Sequence, residues 1–102
     1  MLFHVTATHT TENCPGYHRE KMPAIVTALE NLEATAKELA VKVHFLVNGA
    51  PEHVSFTLLE ADSPASVAQF LATIPFEQDF KVTPVQHEEE LLAMIKQMMA
   101  QG

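Results

Sequence analysis

The feature that most constrains this chain is the way its hydrophobic repeat changes period along its length. Leu2 to Thr8 alternates, with Phe3, Val5 and Ala7 set against His4, Thr6 and Thr8. That period of two belongs to a half-buried strand. From Tyr17 to Ala40 the repeat lengthens to three and four, through Met22, Ile25, Val26, Leu29, Leu32, Ala36 and Leu39, which predicts a helix. Pro23 fits a first helical turn better than a helix interior, so a separate turn or a kink is expected there. Alternation returns over Val41–Asn48 and again over His53–Glu60, with Asn48-Gly49 between them as a hairpin signal. Ser63-Pro64 pairs an N-cap serine with a first-turn proline and opens a second helix through Val67, Phe70, Leu71 and Ile74, stopped by Pro75. Phe80–Val85 reads as a fourth strand. His87–Gln101 reads as a third helix, with Leu91, Leu92, Ile95, Met98 and Met99 on one side and Glu88–Glu90 in the first turn, where the helix dipole favours negative charge.

The order is therefore βαββαβ followed by a helix of about residues 87–101. It predicts an α+β, ferredoxin-like domain spanning residues 1–102, with a four-stranded antiparallel sheet in the order 4-1-3-2. Two helices should cover one face, against Phe3, Val5, Val43, Phe45, Phe56 and Val82. The other face should carry His4, Thr6, His44 and Thr57 among others. That face is mixed in character. It is either solvated or packed against a second copy around a polar cavity, with His4, His44, Thr6 and Thr57 as ligand-binding residues. The methionine-rich terminal helix favours a homodimer or higher homo-oligomer, since its stripe needs a surface; the alternative is that it folds back over its own subunit.

Composition narrows the partners. Thirteen acids against six bases give a net charge of -7, which suits neither nucleic acid nor an anionic membrane. No apolar run approaches the roughly 20 residues of a bilayer span. The opening Met1-Leu2-Phe3-His4 has no basic region or cleavage site, so a cytoplasmic protein is expected. A lone cysteine excludes an internal disulfide framework.

The opening Met1-Leu2-Phe3-His4-Val5-Thr6, the stretch Glu60-Ala61-Asp62-Ser63-Pro64 through Phe70-Leu71, and Asp79-Phe80-Lys81-Val82-Thr83-Pro84-Val85 resemble the dimeric α+β barrel superfamily. Within it the chain is most similar to short bacterial proteins grouped only as a domain of unknown function. The resemblance covers nearly the whole chain and implies a homodimer with a cavity. It does not select a reaction, because the superfamily includes small monooxygenases, haem-degrading enzymes, isomerases and binding proteins.

The ligand-type side chains are clustered. His9, Cys14 and His18 lie within ten residues of one another, where the first strand exits. The predicted topology brings His53, at the start of the third strand, to the same corner. Two imidazoles and a thiolate suit a transition-metal ion, zinc or copper, with His18 as a candidate fourth ligand or the position left open. Two other readings compete: a thiol redox protein using Cys14 at a helix N-terminus, and a cofactor-free monooxygenase- or isomerase-like enzyme, or small-molecule binder, using His4 and His44 in the dimer cavity. Against all three stands a solvated corner of histidines with a small packed cysteine.

Overall fold

In a computed structural model describing residues 1–102, the first strand, β1 (Leu2–Thr8), occupies the middle of the sheet. It pairs antiparallel with β3 (Val54–Glu60) on one side and β4 (Asp79–Val85) on the other, and β2 (Lys42–Gly49) closes the sheet beyond β3. The order β2-β3-β1-β4 is the expected one. The α+β architecture and the terminal helix also stand as predicted.

The first helical region is divided. One-turn 3-10 segments at Pro15–Tyr17 and Arg19–Lys21 precede α1 (Met22–Glu30), which carries Pro23 in its first turn, and α2 (Leu32–Glu38) follows. Proline has no amide to contribute and a fixed φ, so it starts this helix instead of interrupting one. Asn31 separates α1 from α2, its side-chain amide donating to the Thr27 carbonyl at 2.9 Å. α3 (Pro64–Leu71) begins at Ser63, whose hydroxyl accepts from the Ser66 amide at 3.3 Å. α4 (Glu88–Gln101) buries none of its residues.

The core lies between the helices and one sheet face. Phe3, Val5, Leu59, Val67 and Phe70 are essentially removed from solvent. Each contributes about 1.5–3 kcal/mol by that burial. Two face assignments differ from the sequence expectation. Val5 stands opposite Thr57 and Phe3 opposite Leu59, so β3 buries Thr57 and Leu59 against the helices. Phe56 is on the uncovered side, opposite Thr6, and is 38% exposed. Thr57 therefore does not line the open face. The Leu58-Leu59 doublet hides this phase, since either leucine could point inward.

In β2 an irregularity between Val43 and Phe45 inserts His44 as an extra residue, so Val43 opposes Leu59 but Phe45 opposes Leu58. A bulge of this kind reverses the facing of everything beyond it. Phe45 and Val47 thus lie on the open face with Phe56, not under the helices. Of the two edge strands, β2 is irregular at this bulge, and β4 carries Pro84, which has no amide to offer a further strand.

Candidate metal centre

The hairpin between β2 and β3 is not built on Asn48-Gly49. Gly49 has an ordinary negative φ, and the chain turns through a 3-10 segment at Ala50–Glu52. The left-handed residue is His53, with φ 56° and ψ 44°. Short hairpin loops end in such a residue, usually glycine or asparagine. Here a histidine fills the position, and its backbone carbonyl accepts from the His9 amide at 3.3 Å. The end of β1 and the hairpin are thereby fixed side by side.

Their side chains meet as well. His53 Nδ1 and His9 Nε2 are 3.1 Å apart, one ring donating to the other, with the ring planes crossed at 84°. Cys14 arrives from the loop after β1, held by its amide donating to the Thr11 carbonyl and its carbonyl accepting from the Tyr17 amide. One donor atom from each of His9, Cys14 and His53 lies within 4.8 Å of the other two, and all three residues are partly buried. Burial, and then the neighbouring His53 ring, hold the His9 imidazole below its ordinary pKa, favouring the neutral form that a metal requires. Phe76 supports the back of His9 edge-on, with ring centroids 5.3 Å apart.

This donor set fits a transition metal. A tetrahedral zinc ion with Zn–N distances of about 2.0–2.1 Å holds two imidazole nitrogens about 3.3 Å apart, close to the separation found. The three donors come from the end of β1, the following loop and the β2–β3 hairpin, so only the folded chain assembles them.

His18 is not brought into the group. Its Nε2 is bonded to the Glu12 carbonyl and its Nδ1 faces the Glu20 carboxylate at 3.4 Å. Nor does Cys14 sit at the N-terminus of an α-helix. It precedes a turn of three residues, and α1 begins only at Met22, so the helix-dipole argument for an activated thiol has no structure behind it.

The other expected site residues are dispersed. His4 and Thr6 lie on the open face, where the His4 ring is 6.1 Å from that of Phe56. His44 is paired with Glu60 at 3.0 Å. Thr57 is under the helices.

Sequence reasoning missed the pocket beside the triad. A cavity of ≈ 320 Å³ is lined by His9, Cys14 and His53 together with Ile25, Leu29, Leu46, Ile74 and Phe76. Its one legible signal was Ile74-Pro75-Phe76, an apolar step after α3 that the helix alone does not need.

No helix is long and apolar enough to cross a membrane. Residues 1–99 match the family described as "Domain of unknown function (DUF3303)". No curated protein matches the chain.

Proposed function

The chain belongs to the DUF3303 family, whose description names no activity, and from its own geometry we propose that it binds one transition-metal ion, zinc or copper, through His9, Cys14 and His53. The observation that carries this reading is the convergence of three nitrogen and sulfur donors within 4.8 Å from three separate chain segments. A metal bound there with three protein ligands keeps a coordination position open, the arrangement that supports metal-dependent chemistry. The thiol redox reading has less support, since Cys14 is the chain's only cysteine and caps only a three-residue 3-10 turn, with no α-helix behind it. The cavity-enzyme reading has less as well, since His44 is engaged by Glu60 and Thr57 is buried on the other face.

Metal analysis of untagged protein tests the proposal. One equivalent of transition metal per chain is expected, with Cys14→Ser and His53→Ala each abolishing stoichiometric uptake and His18→Ala leaving it unchanged. Absence of stoichiometric metal, or uptake indifferent to Cys14→Ser, overturns it.

We further propose that the working form is a homodimer joined through the open sheet face. Phe45, Val47 and Phe56 are exposed there at 42%, 51% and 38%. The accessible surface is 7190 Å², where a compact monomer of this mass exposes about 5,700 Å². The excess of about 1,500 Å² is more than the roughly 800 Å² per partner that a standard interface removes.

A further inference from the structure

The pocket beside the triad supplies a second half to the site. Its three metal donors form one part of the lining, and Ile25, Leu29, Leu46, Ile74 and Phe76 form an apolar wall opposite in character. An ion held by His9, Cys14 and His53 would therefore sit in the lining of a mostly apolar pocket, to which Asn48, Ser55 and Gln78 add the remaining polar groups. A divalent ion with one thiolate and two neutral imidazoles keeps a net charge of +1, and its coordination shell is one ligand short of four. The chamber lies at the lower end of the range for small-molecule sites. Its volume of ≈ 320 Å³ suits a small organic ligand.

We propose that this pocket binds a small monoanionic carboxylate with an apolar body, the carboxylate taking the open metal position and the body resting on Leu29, Leu46, Ile74 and Phe76. The inference rests on the metal reading above and adds the class of ligand. Two independent features select that class. The residual positive charge prefers an anion to a neutral head group. The aliphatic and aromatic wall prefers a hydrocarbon body to a polar one, by about 25 cal/mol for each Å² of apolar surface removed from water.

The test uses the full chain loaded with cobalt(II), whose visible bands report the coordination shell and whose thiolate charge-transfer band reports Cys14. Benzoate is the probe. Acetate supplies the head without the body, and benzyl alcohol the body without the charge. Benzoate is expected to shift the visible bands at least tenfold more tightly than acetate, and benzyl alcohol to leave them unchanged. Leu29→Asp should abolish that preference while the thiolate band persists. Leu29→Ala, a truncation at a half-exposed position, should weaken benzoate in the same direction. A cobalt centre that ignores benzoate, that binds acetate equally well, or whose preference survives both Leu29 variants overturns this inference alone. Failure of the thiolate band to appear in the unmodified chain overturns the metal site, and this inference with it.

Discussion

His53 occupies a left-handed backbone position, and so does Ala40, each with φ 56°. A side chain there crowds the backbone, and an L-residue loses about 1–2 kcal/mol relative to an unhindered conformation. At Ala40 the position closes α2, where the Val41 amide donates to the Ala36 carbonyl at 2.8 Å, and glycine is the residue such an ending favours. Ala40→Gly should therefore raise stability by about 1 kcal/mol, a gain of about 4–8 °C in Tm, with metal uptake unchanged. His53→Gly relieves the same backbone cost but removes a donor. It should raise the stability of the metal-free chain by a similar amount and abolish metal uptake. Thermal melts of both variants, with and without metal, check the pair of outcomes. A His53→Gly chain less stable than the parent without metal would show that the imidazole serves packing. His53 holds this conformation at the corner where the three donors meet.

Among the elements, the bulge in β2 has a measurable electrostatic signature. It places His44 beside Glu60, and that hydrogen bond is the main cause holding the Glu60 carboxyl below its ordinary value of 4.5, with Coulombic help from His44 and Lys42. A depressed carboxylate binds fewer protons in the folded than in the unfolded chain, so its contribution is complete above pH 4.5 and is lost as the pH falls through the lowered folded value. Melts between about pH 5 and pH 3 should show the parent losing stability more steeply than His44→Ala. Equal slopes would remove the pair from the acid response. The bulge also explains what the sequence concealed. Strand positions, the Ser63 cap, Pro23 at a helix start and the sheet order follow from local pattern and turn chemistry. The facing of β3 does not, because Leu58 and Leu59 satisfy either phase. The facing of β2 does not, because an inserted residue leaves no mark in a period-two pattern. The clustering of His9 and His53 was legible, since antiparallel pairing carries the end of β1 and the start of β3 together, and Cys14 follows from its place in the loop that leaves β1. His18, the candidate fourth ligand, lies outside this cluster, because proximity along the chain says nothing about the Glu12 carbonyl that engages it.

At the level of the whole molecule, the radius of gyration is 16.6 Å, against about 13 Å for a compact chain of 100 residues. The cause is α4, which carries Leu92, Ile95, Met98 and Met99 exposed along its length and does not fold back over the sheet. An apolar stripe on α4 and an apolar sheet face on the same chain are what a second copy can cover together. Sedimentation should report twice the chain mass, and Tm should rise with protein concentration. Phe56→Glu and Val47→Lys should each yield the single-chain mass without unfolding the chain, since neither position is in the core. A parent that sediments as one chain at all concentrations would refute the assembly. The rims of the sheet bear on how far association goes. Unpaired strand borders are where sheets recruit more strands, and here one border is irregular at His44 and the other carries Pro84, which offers no amide. Lateral accretion into ribbons is thereby discouraged along both margins, so a crowded solution of this chain should hold countable particles instead of fibrils.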